Sequence, residues 1–160
     1  MKNLLLNEII QQINGHVING LDNFLIKRVM NEAKKNIKNN TLLFHRDRDP
    51  IKGKYWSDND FIAVVTDSSE QCTNLGDQIT LIEVDDVEVA YFWFIDYYRN
   101  LFQIPVIGVT GTCGKTSTKE MIKQILEKDY NVEATWESMN SMSVNLRYLL
   151  GIDDETEAAV

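Results

Sequence analysis

The sequence predicts an α/β chain: a small N-terminal α/β domain, then the truncated start of a second domain built on a parallel sheet. The runs Phe61-Ile62-Ala63-Val64-Val65 and Ile79-Thr80-Leu81-Ile82-Glu83-Val84 are apolar enough to be covered on both faces, as parallel strands are. Between Val87 and Phe102 apolar residues recur at helical spacing. A further apolar run, Val106-Ile107-Gly108-Val109, leads through a glycine-bearing turn into another amphipathic segment. Strand, helix, strand, helix in that order is the pattern of α/β architecture.

Taken in order, Leu5, Leu6, Ile9, Ile10 and Ile13 mark a helix over Leu4 to Ile13, with Gly15 as its stop. His16-Val17-Ile18 and Phe24-Leu25-Ile26 read as short strands around a turn at Asn19-Gly20. The Lys- and Asn-rich stretch from Asn31 to Asn40 reads as solvated loop, and Thr41-Leu42-Leu43-Phe44 as a strand. His45 to Asn59, with Arg46, Asp47, Arg48 and Asp49 alternating in sign, reads as a surface loop. His16 and His45 have no ligand-spaced partner and read as surface or turn histidines.

The next helix carries Val87, Ala90, Tyr91, Phe94, Ile95, Tyr98, Leu101 and Phe102 as one stripe, with Asp85-Asp86 as turn and cap before it. The wider aromatic set, which includes Phe92, Trp93 and Tyr97, reads as core packing rather than base stacking. Pro105 forces a change of course near Gln103, which sets the expected division at 1–103 and 104–160. Val106 to Val109 is then a buried strand. Lys115 to Lys128 is a helix with Met121, Ile122, Ile125 and Leu126 as its apolar face.

Composition narrows the function classes. The 160 residues hold 16 Lys+Arg against 24 Asp+Glu, a net charge of −8, which disfavours a protein that coats nucleic acid. Cys72 and Cys113 are too few and too far apart for a disulfide framework or a zinc site. Glu8 interrupts the start before an apolar core of signal-peptide length forms, and no apolar run approaches the roughly 20 residues of a membrane helix. The expected setting is the cytoplasm, without membrane contact.

The sharpest signal is Gly108-Val109-Thr110-Gly111-Thr112-Cys113-Gly114-Lys115-Thr116-Ser117. A helix start offers backbone N–H groups and partial positive charge, both suited to phosphate. Glycines let the backbone approach a polyphosphate closely. Lys115 supplies a point charge for the β/γ-phosphates, and the Thr116 hydroxyl suits Mg²⁺. Against the usual G-x-x-x-x-G-K-[ST] spacing the first glycine is one position early, since Val109 stands five residues before Gly114.

This spelling, Thr-Gly-Thr-x-Gly-Lys-Thr after an apolar strand, resembles the ATP-binding loop of the Mur ligase family. The stretch from Tyr97 to Gly111 is similar to the junction of that family's first and central domains, and Asn7 to Phe44 resembles its first domain in order of elements. Ala33-Lys34-Lys35 stands where that domain usually shows Asp-Ser-Arg. Met139 to Leu146 lines up with a substrate-contacting loop, in which Asn140, Val144 and Leu146 match. Cys113 replaces the commoner Asn of the phosphate loop and reads as a small loop filler.

The resemblance implies an ATP-dependent, Mg²⁺-requiring ligase that forms amide bonds in peptidoglycan precursors through an acyl phosphate. Lys115 is then the catalytic residue. Thr110, Gly111, Thr112, Cys113, Gly114, Lys115, Thr116 and Ser117 hold the nucleotide, Thr116 the metal, and Asn140 the substrate. The partners implied are ATP, a UDP-muramoyl peptide and an amino acid or dipeptide, with the intact protein a monomer. Glu157-Ala158-Ala159-Val160 reads as the opening of a strand, so the chain is expected to be incomplete and unable to ligate alone. Other readings remain at this point: a different P-loop NTPase or kinase, or a nucleotide-binding module that has lost catalysis.

Overall fold

The computed structural model describes residues 1–31, 37–46, 51, 61–72, 75–76, 79–136 and 142–160, the last beginning with a stretch described by backbone alone. The chain divides into two compact units, Asn3–Asp96 and Met1–Lys2 with Tyr97–Val160.

The first unit opens with β1 (Leu4–Leu5) and α1 (Leu6–Gln12), followed by β2 (His16–Asn19), β3 (Leu25–Ile26), β4 (Arg28–Met30), β5 (Thr41–Phe44), β6 (Ile62–Thr66) and β7 (Ile79–Glu83). Leu4-Leu5 is therefore strand rather than helix: it pairs antiparallel with β3, Leu4 opposite Ile26. The helix after it stops one residue earlier than expected. Asn14, at φ 52, takes the left-handed position, and the Gly15 N–H closes onto the Ile10 carbonyl at 2.9 Å.

Five strands form the main sheet in the order β2-β7-β6-β5-β4. β4 through β7 run parallel, and β2 closes the edge antiparallel to β7. The apolar runs are buried on both faces as expected. On one side Leu43, Ile62, Val64, Ile79 and Leu81 pack with Ile37, Ile51 and Cys72. On the other, the Phe44 ring meets Tyr91 edge-on at 5.1 Å and Phe94 at 5.6 Å. Gly20 (φ +97) makes the turn after β2 so close to β7 that a Cβ would strike the Ile79 carbonyl.

Helix α2 (Val87–Asn100) starts as the sequence suggests, with Asp86 Oδ1 accepting the N–H groups of Glu88 and Val89 at 2.8 and 3.0 Å. Such a cap is worth about 1 kcal/mol. Ala90, Tyr91, Phe94, Ile95 and Tyr98 are buried, but Phe92 and Trp93 face outward, and Leu101 lies past the helix end in the open. His45 also differs from expectation. It is buried, its N–H donated to the Val65 carbonyl at 2.8 Å, because the chain keeps the pairing of β5 one residue beyond the strand. Ala33-Lys34-Lys35, Asp47, Arg48 and Asp49 lie outside the described residues.

The second unit holds α3 (Lys115–Leu126), β8 (Val132–Glu133), α4 (Met142–Leu149) and β9 (Ala158–Ala159). β8 runs parallel to β9, and Val106 joins the other side of β9 by a parallel bridge to Ala159. The expected strand Val106–Val109 is thus a single bridge, and Val106 is 44% exposed rather than buried. Ile107 and Val109 are half-buried, so the run is covered only in part. Of the expected apolar face of α3, Met121 and Ile125 are exposed and Ile122 and Leu126 half-buried. The expected strand at the C-terminal residues is β9.

Tyr98 ties this unit together. It is fully buried; its hydroxyl donates to the Ile152 carbonyl and accepts the Lys2 N–H at 2.7 Å, while its ring lies against Phe102 at 5.3 Å. Burial first, and then the charges of Asp153 and Asp154, push its phenol from 10.0 up to about 12. The folded state therefore keeps a proton that the unfolded state has lost between those values, so this contribution is full below pH 10 and disappears as pH rises toward 12. Tyr98→Phe should cost about 1–2 kcal/mol at neutral pH, because two backbone groups lose a partner. Urea denaturation of both forms should show that gap narrowing from pH 10 upward.

Candidate functional site

Ile107 leaves the sheet with its N–H on the Ala159 carbonyl at 2.8 Å, and the Ala159 N–H returns to Pro105 at 3.0 Å. From there the chain runs as an exposed loop through Thr110, Gly111, Thr112 and Cys113 to Gly114, where α3 begins. Gly114 sits at φ 74, ψ 0, and its carbonyl accepts the Thr118 N–H at 2.9 Å. That left-handed turn swings the chain into the helix, which explains a glycine here.

No side chain caps the start of α3. Its first-turn N–H groups, which a helix cannot satisfy internally, therefore open onto the loop. Lys115 is the first helical residue, half-exposed, and its Nζ donates to the Gly111 carbonyl at 2.7 Å across the loop. Thr116 and Ser117 stand exposed on the same turn. Cys113 is an exposed free thiol. Thr110, Gly111, Thr112, Cys113, Gly114, Lys115, Thr116 and Ser117 thus form one loop-and-helix corner. Asn140 lies outside the described residues.

A Cβ added at Gly108 or Gly114 would meet nothing within 4 Å, and one at Gly111 only the Cys113 carbonyl at 3.7 Å. At these three glycines the loop is not packed against other protein. The partial positive charge at the start of α3 and the Lys115 amine, held at Gly111, lie at this loop, and Thr116 and Ser117 are exposed on the same turn, groups that suit an anion with several oxygens. Among the described residues no group of three or more His, Cys, Asp or Glu could hold a metal ion by itself. One turn on, Lys119 holds the Glu120 carboxyl below its ordinary range by hydrogen bond and charge.

Lys119 has no role of its own in the sequence reading. It is the only buried residue of α3, and its Nζ donates to the Thr135 carbonyl beyond β8. The available signal was its place four residues after Lys115, on the same side of the helix.

Residues 109–160 match the family model described as the Mur ligase middle domain. The chain belongs to the Mur ligase family. It is 37% identical over 99 residues to the UDP-N-acetylmuramoyl-tripeptide–D-alanyl-D-alanine ligase of Synechocystis, covering 62% of this chain and 21% of that protein. The enzyme of the same name from Bacillus subtilis is 32% identical over 120 residues, 69% of this chain and 26% of that one. In fold, the crystal structure of MurF from Acinetobacter baumannii superposes with a TM-score of 0.76 at 20% identity, over 100% of this chain and 35% of that one. This Mur ligase chain therefore spans about a quarter of the length of these curated relatives. Among the described residues no helix is long and apolar enough to cross a membrane.

The geometry separates strain from crowding at the loop glycines. Gly114→Ala meets no neighbour but must hold a left-handed backbone, at a cost of about 1–2 kcal/mol. Gly108→Ala, equally open but without positive φ, should be near neutral. Thermal unfolding of the two variants side by side checks the difference; equal destabilisation would contradict it.

Proposed function

We propose that this chain is the N-terminal part of an ATP-dependent amide-forming ligase of peptidoglycan-precursor type, with residues 1–103 as its first domain and 104–160 as the start of its central, nucleotide-binding domain. The observation that carries this reading is the uncapped start of α3 behind an open glycine loop, with Lys115 as its first residue. Family membership supplies the reaction class and disfavours an unrelated kinase or regulatory NTPase.

In this reading the loop from Thr110 to Gly114 wraps the β- and γ-phosphates through backbone N–H groups, joined by the amides of Lys115, Thr116 and Ser117. Lys115 moves its ammonium from the Gly111 carbonyl to the phosphate oxygens, where it stabilises charge as the γ-phosphoryl group transfers. The acceptor's carboxylate attacks that phosphorus, ADP leaves, and the amine of the second substrate displaces phosphate from the acyl phosphate. Mg²⁺, when bound, offsets the phosphate charge, and the exposed Thr116 hydroxyl is the group of this corner fit to hold it. Catalysis here is chiefly positioning and charge neutralisation.

The relatives' names point to a UDP-muramoyl tripeptide and D-alanyl-D-alanine as the joined substrates, with Asn140 on the acceptor side. The net charge of −8 leaves nucleic acid out of the reading. The intact enzyme works as a cytoplasmic monomer, where ATP and nucleotide-linked precursors are at hand, and this chain alone does not ligate.

Lys115→Ala in the intact protein should abolish phosphate release that depends on ATP, UDP-muramoyl tripeptide and D-alanyl-D-alanine together. Its melting temperature should stay close to wild type, since Lys115 is not a buried residue of α3. Wild-type turnover in that variant would reject the assignment.

A further inference from the structure

Lys119 is 7% exposed on a helix whose other residues are half-buried or exposed, including apolar Met121 and Ile125. Burying an ammonium is costly unless it is paired and hydrogen-bonded. An apolar side chain would fill the same space without that cost, so the charge has to be explained by what it holds. Its Nζ donates to the Thr135 carbonyl and pairs with Glu120 Oε1 at 3.0 Å. Glu120 is a half-exposed neighbour on the same helix and adds little rigidity. The bond to the Thr135 carbonyl joins α3 to another part of the chain.

The place it holds is where the chain leaves β8. The Thr135 N–H donates to the Val160 carbonyl at 3.1 Å, and the Tyr148 hydroxyl donates to the Trp136 carbonyl at 3.4 Å. Lys119 thus completes a set of bonds that hold three successive peptide groups, one to β9's end, one to α3 and one to α4. Lys115 and Lys119 lie one turn apart on one side of α3. The first closes the phosphate loop and the second grips the exit from β8.

We propose that Lys119 is a positioning residue that links occupancy of the loop Gly111–Ser117 to the setting of the chain at Thr135–Trp136. The proposal rests on the nucleotide reading above and deepens it: phosphate settling on α3's first turn shifts the helix, and Lys119 carries that shift to the segment leading toward Asn140. Lys119 touches no reacting atom in this scheme.

The test uses the intact protein carrying fluorinated tryptophan, with the resonance of the exposed Trp136 assigned through Trp136→Phe. Nucleotide affinity is measured separately by calorimetry with MgATP. In wild type the Trp136 resonance should move as nucleotide saturates. Lys119→Met should bind MgATP within about twofold of wild type while the resonance stays still, since the coupling and not the affinity is lost. Lys119→Arg, which keeps a charged donor of similar reach, should restore the movement. If Lys119→Met does not fold, the shorter Lys119→Gln serves as the broken link with the same expectation.

Movement that persists without the Lys119 amine overturns the proposal, and so does a still resonance in nucleotide-saturated wild type. The two readings fail separately. No MgATP binding by wild type strikes the nucleotide reading, and this proposal falls with it. Normal binding with an unmoved Trp136 strikes the Lys119 proposal alone.

Discussion

The candidate site depends on one short parallel pairing, Pro105 to Ile107 along β9. Its bonds, Ile107 N–H to Ala159 and Ala159 N–H to Pro105, fix where the chain leaves the sheet. With that end fixed, a loop of a few residues has to reach the start of α3, and Gly114 at φ 74 makes the last turn into it. The uncapped start of the helix and the Lys115 amine, bonded to the Gly111 carbonyl, then lie at the two ends of one short loop. In α/β proteins ligands gather outside the carboxyl ends of parallel strands, and this loop lies at such an end.

The first unit obeys a different constraint. Its strands β5, β6 and β7 are buried on both faces, so most of their residues are apolar. Phe44 with Tyr91 and Phe94 covers one side, and Leu43 with Ile51 and Cys72 covers the other. Two buried threonines of these strands bond to backbone: Thr80 Oγ1 donates to the Leu21 carbonyl and Thr41 Oγ1 to the Lys38 carbonyl at 2.7 Å. Function enters such a unit through its loops, since the strands leave no side chain to spare.

Long, uniformly apolar or strongly periodic segments were legible in the sequence, which is why β5, β6, β7, α2 and α3 stand where the residues indicate. β4 and β8 are not legible. Arg28-Val29-Met30 and Val132-Glu133 have no pattern of their own and become strands only through the partners β5 and β9. Likewise α4 falls in a stretch read through a family loop rather than through its own spacing. The loop from Thr110 to Ser117 could be read because glycine, lysine and threonine at fixed spacing are required by backbone shape and charge together. The burial of His45 and Lys119 could not, because each is set by what packs over it from elsewhere in the chain.

A crystal structure of the intact protein with a non-hydrolysable ATP analogue and Mg²⁺ tests the central claim most directly. The account expects the β- and γ-phosphates within hydrogen-bonding distance of the Gly111–Thr116 amides, with Lys115 Nζ released from the Gly111 carbonyl onto a phosphate oxygen. Phosphates seated elsewhere, or Lys115 still bonded to Gly111 beside a bound nucleotide, would contradict it.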